Sequence, residues 1–128
     1  MKRVWVNGCF DLLHEGHLDF LKEAKAQGDF LIVGLNSDYS IKQNKGENRP
    51  IDNQETRKIK LLETGFVDEV LIFNTKSPIE LIKKTKPDLI VKGHDQYIEP
   101  ELANEFNFYK AGKQKDISTT KLIENSGK

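Results

Sequence analysis

The sequence contains a single cysteine and no apolar run long enough to cross a membrane. With only Cys9, an internal disulfide is excluded, so the fold cannot depend on one. No charged segment followed by a short apolar stretch marks a secretory signal near Met1. Together these absences predict a cytoplasmic protein that does not associate with membranes.

Net charge is also missing, because 20 lysines and arginines balance 20 aspartates and glutamates. Such a chain has no overall field to attract nucleic acid, so we expect no nucleic-acid partner. Any anion must be bound by a few locally placed groups. The length of 128 residues predicts one domain, spanning residues 1–128, with a core of its own.

Short apolar stretches typical of buried strands lie at residues 4–7, 29–35, 67–73 and 88–92, with a weaker one at 106–109. Helical patterns lie between them. Leu18, Leu21 and Ala24 share one face of the first helix. The next helix, at 54–64, has Asp52 or Asn53 as its cap and a predicted core stripe of Ile59, Leu61, Leu62 and Phe66. Further helices are expected at 78–84, 99–105 and from 117.

This alternation predicts an α/β fold: a Rossmann-like, doubly wound parallel sheet of about five strands in a single domain. Ligands of such sheets bind at the carboxyl ends of the strands. The carboxyl ends are therefore where site residues are expected.

The most informative stretch is V-W-V-N-G-C-F-D-L-L-H-E-G-H, residues 4–17. A strand and a glycine turn lead into a helix that begins with His14 and His17, and helix N-termini bind phosphate. Gly16 between them would let a phosphate approach the backbone. The plainer interpretation is that one histidine is a capping or core residue and the other is solvated, and we favour the phosphate site. A zinc site of His14, His17 and His94 fits the spacing less well.

Polar groups follow several predicted strands and would share one rim of the sheet. They are Gly8, Cys9, Phe10 and Asp11 after the first strand, Asn36 to Asp38 after the second, Gly93, His94 and Asp95 after the fourth, and Ser118, Thr119 and Thr120 at a later helix start. Asp95 either closes a turn or contacts a nucleotide. The three hydroxyl residues either cap a helix or bind phosphate.

The segment K-Q-N-K-G-E-N-R-P, residues 42–50, is very polar and predicts an exposed, mobile loop that closes over bound phosphates. Lys45, followed by glycine, is a mobile point charge suited to phosphate, and Lys42 is either a second one or an ordinary surface lysine. Arg57 on the following helix either holds a second phosphate or pairs with a surface carboxylate such as Glu63 or Asp52.

Two motifs resemble a known family. G-C-F-D-L-L-H-E-G-H resembles the H-x-G-H signature of the cytidylyltransferase-like nucleotidyltransferases, and I-S-T-T-K at 117–121 is similar to their second signature. The stretches N-S-D, K-G-E-N-R-P, V-D-E-V and P-D-L-I-V-K-G-H-D are most similar to the adenylyltransferase domain of bacterial heptose 1-phosphate adenylyltransferases. The length and I-S-T-T-K resemble glycerol-3-phosphate cytidylyltransferase more. Lys113 stands where the cytidylyltransferases carry arginine, which favours ATP over CTP.

The resemblance implies an enzyme in which a phosphorylated sugar attacks the α-phosphorus of a nucleoside triphosphate and releases pyrophosphate. By the same resemblance His14 and His17 donate to the α- and β-phosphates, and Asp11 orients this shell. Lys45, with Lys42 as a second candidate, neutralises these phosphates and the acceptor phosphate. Ser118, Thr119 and Thr120 would bind the β/γ end, and Lys42 and Arg57 would serve the acceptor.

The remaining nucleotide contacts implied are Gly8, Cys9, Phe10, Gly16, Gly93, His94, Asp95 and Lys113. Mg²⁺ is the implied cofactor, held by ligand oxygens and water and not by protein side chains. A homodimer is implied as well. The runner-up function is a CTP-dependent cytidylyltransferase for glycerol 3-phosphate or another polyol phosphate. An inactive nucleotide-binding module is the alternative from another class.

Overall fold

The computed structural model describes residues 1–112, so the predicted site residues Lys113, Ser118, Thr119 and Thr120 lie outside the described residues. The described part is a five-stranded parallel sheet with helices in the connections, which confirms the predicted fold class. The strands are β1 (Arg3–Gly8), β2 (Phe30–Asn36), β3 (Glu69–Phe73), β4 (Leu89–Gly93) and β5 (Phe108–Ala111). The helices are α1 (Glu15–Lys25), α2 (Asp38–Lys45), α3 (Gln54–Glu63), α4 (Ile79–Thr85) and α5 (Pro100–Ala103).

The strand order is β3-β2-β1-β4-β5, which places β1 at the centre of the sheet. The chain first moves outward through β2 and β3 and then crosses back to β4, so the switch point lies between β1 and β4. β1 pairs with β2 along its whole length but with β4 only at Val4 and Trp5. The two central strands therefore separate towards their carboxyl ends, and a crevice opens there.

Both faces of the sheet are buried, which explains the apolar character of every central strand. Val4 and Val6 of β1 lie in the core on one face, and Trp5 lies in the core on the other. Gly34 on β2 is required by this packing, since a Cβ there would lie 2.3 Å from the Trp5 ring. The sequence pattern had not indicated this contact.

The predicted mobile loop at 42–50 was wrong for residues 42–45, which belong to helix α2. Ser37 caps the helix by accepting a hydrogen bond from the Ser40 backbone N–H, and Ile41 is buried. The helix ends at Gly46, whose φ of 101° lies in the left-handed region. Lys42 and Lys45 are therefore exposed residues one turn apart on a helix, and the loop is shortened to residues 46–53.

Helix α3 confirms part of its prediction and corrects the rest. Asn53 is the cap, accepting from the Thr56 N–H at 2.8 Å, and Leu61 is buried. Ile59 and Leu62, by contrast, are 53% and 40% exposed. The arc that meets the sheet is narrow and is filled by Leu61 and by Arg57, one turn before it. Within residues 1–112, no helix combines the length and apolarity needed to cross a bilayer.

Candidate active site

The two signature histidines form a reciprocal cap at the start of α1. His14 is the N-cap residue, and its Nδ1 accepts a hydrogen bond from the Gly16 backbone N–H at 3.1 Å. His17 Nδ1 accepts from the His14 backbone N–H at 3.2 Å. This is the geometry of a capping box with imidazoles in place of the usual hydroxyl and carboxylate. Both histidines therefore cap, which neither sequence interpretation had anticipated.

The cap also determines which ring nitrogen carries a proton. An Nδ1 atom that accepts a backbone hydrogen bond has no hydrogen of its own, so each neutral ring carries its proton on Nε2. The rings of His14 and His17 stack with centroids 3.8 Å apart and planes 22° apart. The result is a pair of adjacent Nε2–H donors with their orientation set by the backbone.

His17 is held in its neutral form. Burial lowers the pKa of the His17 imidazole below its usual 6.5, and a charge on His14 would lower it further. The edge of the Phe10 ring packs near His17, with the centroids 5.4 Å apart. At neutral pH His17 is thus an uncharged donor, so positive charge for a phosphate ligand must come from elsewhere.

Gly16 leaves room for the histidine cap. A Cβ at this position would lie 3.0 Å from His14 Cε1 and 3.2 Å from its Nδ1, so the His14 ring would have to move by a few tenths of an ångström. This crowding was not predicted, and the predicted phosphate approach at Gly16 remains a prediction. In the preceding turn Phe10 and Leu12 have φ of 48° and 53°. Left-handed non-glycine residues cost on the order of 1 kcal/mol each and are concentrated at functional turns.

The crevice between β1 and β4 is a cavity of about 270 Å³. A second hollow of about 330 Å³ shares Phe20 and Gly93 with it. The structure thus brings together most of the predicted nucleotide contacts: the cavity is lined by Asn7, Gly8, Cys9, Phe10, His17, Phe20, Gly93, Asp95 and Gln96, and the hollow also by Gly16, Asp19, Glu23, His94, Ala111 and Gly112.

Phe20, Glu23 and Gln96 are lining residues that the sequence interpretation missed. Gln96 could have been found as a polar residue after β4, and its Oε1 accepts from the Gly93 N–H at 2.7 Å. Lys110 also donates to the Gln96 carbonyl, so the loop after β4 is held from two sides. Glu23 accepts from the Tyr109 hydroxyl at 2.9 Å and from the Gly112 N–H at 3.1 Å.

Arg57 is corrected from a surface residue to a buried one, with 1% of its area exposed. Its Nη1 donates to the carbonyls of Cys9 at 2.8 Å and Asn36 at 2.7 Å. Its Nη2 donates to the Asp38 carboxylate at 2.8 Å, and its Nε to the Asp52 carbonyl at 3.0 Å. Four of its five N–H donors are therefore used within the protein. A surface pair with Glu63 or the Asp52 carboxylate was wrong, and this geometry gives no support to acceptor binding.

Residues 9–14, between β1 and α1, form a turn that we call the signature turn. Asp11 connects this turn to the loop at 46–53. Its side chain is 3% exposed and accepts from the backbone N–H groups of Ile51 at 2.8 Å and Asp52 at 2.9 Å, and from Arg49 Nε at 3.2 Å. Burial alone would raise the pKa of this carboxyl, but these donors outweigh it and lower the pKa below 3.8. The carboxylate is ionised at neutral pH and ties the loop to the turn.

The comparisons with known proteins agree with this geometry. The family model described as cytidylyltransferase-like matches residues 5–125. The chain belongs to the cytidylyltransferase-like family. It is 46% identical over 127 residues to the bifunctional protein HldE of Helicobacter pylori strain G27, covering 96% of this chain and 27% of that protein. It is 55% identical over 94 residues to the HldE of Campylobacter curvus strain 525.92, covering 73% of this chain and 20% of that one.

This cytidylyltransferase-like chain therefore spans between a fifth and about a quarter of the curated relatives it matches. A solved structure of similar fold is the lipopolysaccharide core biosynthesis protein of Thermoplasma volcanium. It superposes with a TM-score of 0.74 at 31% identity, covering 86% of this chain and 95% of that one. The predicted family is thereby confirmed.

Chemically, this member of the family offers oriented donors and few protein ligands for a metal. Among residues 1–112, no group of three His, Cys, Asp or Glu side chains converges closely enough to hold a metal ion. A zinc site is not supported, since Nδ1 of both His14 and His17 already accepts a backbone hydrogen bond. Lys42 and Lys45 do not line the cavity or the hollow, and their phosphate roles remain predictions.

Proposed function

We propose that the protein is a nucleotidyltransferase that transfers a nucleoside monophosphate, preferably AMP from ATP, to a small phosphorylated sugar of the heptose 1-phosphate type, releasing pyrophosphate. The observation that carries this proposal is the histidine cap, which orients two adjacent Nε2–H donors beside the β1–β4 crevice, where His17 lines the cavity. Identity with the HldE proteins and the heptose-type motifs around Lys45 and Gly93 support the choice of acceptor.

In the proposed reaction a phosphate oxygen of the acceptor forms a bond to the α-phosphorus, and the bond from that phosphorus to the bridging oxygen of pyrophosphate breaks in line. The electron pair leaves with pyrophosphate. No general base is needed, because the nucleophile is already an anion. His14 and His17 donate hydrogen bonds to the phosphate oxygens, and their fixed orientation avoids reorganisation as charge develops. The lowered pKa of His17 suits such a donor.

Mg²⁺ fits this donor set as a cation coordinated mainly by triphosphate oxygens and water, as hard oxygen-seeking ions prefer. When bound, it would neutralise charge on the triphosphate. We also propose that the protein acts in the cytoplasm as a homodimer, as the family resemblance implies. Light scattering coupled to gel filtration tests the dimer.

A pyrophosphate-release screen tests the function. It crosses ATP, CTP, GTP and UTP with heptose 1-phosphate, glycerol 3-phosphate and other small phosphates. We expect turnover with ATP and heptose 1-phosphate. Turnover with CTP and glycerol 3-phosphate instead would identify the polyol-phosphate cytidylyltransferase, and no product with any pair would indicate an inactive nucleotide-binding module.

Variants of His17 connect the screen to the site. His17→Ala removes both the donor and one helix cap, and should lower kcat by about 100-fold, the scale of losing a preorganised donor. His17→Gln is the matched control for folding, since glutamine at this helix position can still accept from the His14 N–H. It should keep thermal stability while losing activity. Near-normal kcat in both variants would contradict the assigned role.

A further inference from the structure

Two arginines lie close to the signature turn, and only one of them has several N–H donors left for a ligand. Arg57 is buried and has four N–H groups bonded within the protein. The side chain of Arg49 is 40% exposed, and within residues 1–112 it bonds only to Asp11, through Nε and Nη2, both at 3.2 Å. A guanidinium has five N–H groups, so three remain for a ligand.

Arg49 is held in place by Asp11, although not all of its N–H groups are bonded. The Asp11 carboxylate has shorter hydrogen bonds from the Ile51 and Asp52 N–H groups, at 2.8 Å and 2.9 Å, than from Arg49. Those backbone donors already share the negative charge of Asp11. The carboxylate therefore orients the guanidinium without fully neutralising it. The N–H groups that face away from Asp11 remain positively charged donors. The backbone N–H of Arg49 also bonds the Gly46 carbonyl, which fixes the loop around it.

The topology places Arg49 across the signature turn from the nucleotide crevice. The crevice lies on the β4 side of β1, between Gly8 and Gly93. The loop with Arg49 follows β2 and α2, on the other side of β1. In an in-line transfer the attacking oxygen and the leaving oxygen lie on opposite sides of the α-phosphorus. A second substrate bound on the β2 side would have its phosphate near the Arg49 cation.

We propose that Arg49 binds the phosphate of the acceptor substrate and is the substrate-binding arginine of this site, a role that the sequence analysis gave to Arg57 as one of two options. The inference rests on the proposed nucleotidyl transfer. Arginine suits the role because its planar fork binds phosphate oxygens bidentately, and because His17, as an uncharged donor, supplies no positive charge. Asp11 acts as the positioning residue that orients the guanidinium of Arg49.

Steady-state kinetics of the full chain test the proposal. Arg49→Gln should raise the KM for heptose 1-phosphate by about 10- to 100-fold, the scale of lost charge-assisted hydrogen bonds, with the KM for the nucleotide unchanged. Arg49→Lys keeps the charge without the fork and should restore only part of the loss. Lys60→Gln is the matched control, because Lys60 also pairs with a carboxylate of this loop, Asp52, at 2.9 Å. It should change neither KM.

A purely structural role for Arg49 predicts a different result. The loop would loosen, and Arg49→Gln would lower kcat and raise both KM values together. Hydrogen exchange of the Ile51 and Asp52 amides separates the two cases, because both amides bond to Asp11 independently of Arg49. We expect their protection to be unchanged in the variant. Lost protection together with equal effects on both substrates would overturn the proposal.

A binding experiment separates this inference from the proposed function. Heptose 1-phosphate is titrated into the protein without nucleotide while the arginine Nε–H signals are followed by NMR. The Arg49 signal should shift, and that of Arg57, bonded to the Asp52 carbonyl, should not. Unphosphorylated heptose is the control and should shift neither. No shift at Arg49 would overturn the inference even if turnover occurs, whereas a shift without any turnover would count against nucleotidyl transfer alone.

Discussion

Replacing Gly16 with alanine tests whether the histidine cap, and not the helix itself, is what the site requires. The added Cβ would lie 3.0 Å from His14 Cε1 and 3.2 Å from its Nδ1. The neighbouring ring must then move by a few tenths of an ångström. Because the His14 ring is stacked on His17 at 3.8 Å, its movement displaces one or both Nε2–H donors.

The expected magnitudes differ for stability and activity. Alanine is favoured over glycine in a helix by up to about 1 kcal/mol, which offsets the crowding, so the free energy of unfolding should change by less than about 1 kcal/mol. A misplacement of about 1 Å can cost about 100-fold in rate. A shift of a few tenths of that distance, with one cap bond weakened, should lower kcat by about 10-fold, or about 1.4 kcal/mol in the barrier.

Three measurements check this expectation for Gly16→Ala: kcat from pyrophosphate release, urea unfolding, and the ¹⁵N shifts of the His14 ring, which report the tautomer. Lys22→Ala, at an exposed position of the same helix, is the control and should leave kcat unchanged. If Gly16→Ala keeps full kcat and unchanged His14 shifts, the close approach does not constrain the ring and the reasoning is wrong. If it unfolds, Gly16 supports the fold and not the donors.

Three further outcomes are expected. Lys45→Ala should lower kcat with little change in nucleotide affinity measured by calorimetry, and unchanged rates would make Lys45 an ordinary surface lysine. Arg57→Leu should destabilise the protein by about 3–5 kcal/mol in urea unfolding, because it removes the hydrogen-bond donors of the Asp38 carboxylate and of three carbonyls, and a loss below about 1 kcal/mol would contradict this. Since His17 has its pKa lowered by burial below 6.5, its contribution to stability is full above that value and is lost as the pH falls towards its folded pKa. Between pH 7.5 and 5.5 the wild type should therefore lose more free energy of unfolding than His17→Gln, and an equal or smaller loss would refute the neutral imidazole.

In this site the residues with a fixed orientation are different from the residues that carry positive charge. The donors at His14 and His17 are fixed by backbone hydrogen bonds, and burial favours the uncharged form of His17, whereas the exposed Lys42 and Lys45 and the half-exposed Arg49 lie on the β2 side of the signature turn. A neutral His17 can donate to a phosphate without repelling a charge on His14, whereas two imidazolium rings with centroids 3.8 Å apart would be unfavourable. The arrangement is consistent with a reaction that moves phosphate charge and needs no proton transfer.

Much of this protein was readable from its sequence because the relevant interactions are local or periodic. The strand, turn and helix from Val4 to Leu21 were predicted from a run of neighbouring residues, and the strand periodicity gave the sheet. The cap by Asn53 involves positions three residues apart. Helix α2 was missed because Ile41 is its only buried large apolar residue, which leaves no periodic signal.

Only the tertiary structure decided which charged residues are free to act. In sequence, Arg57 and Arg49 are both arginines near polar segments, but Arg57 meets the Cys9 carbonyl, 48 positions away, and Arg49 meets Asp11, 38 positions away. Whether the N–H donors of a guanidinium are bonded within the protein depends on which acceptors, distant in sequence, the strand order brings close to it. The local sequence pattern contains no information on these distant acceptors. The sequence alone determined the family and predicted a phosphate site at the histidine signature, whereas the fold decided that Arg57 is buried and bonded within the protein and that Arg49 is half-exposed beside the turn.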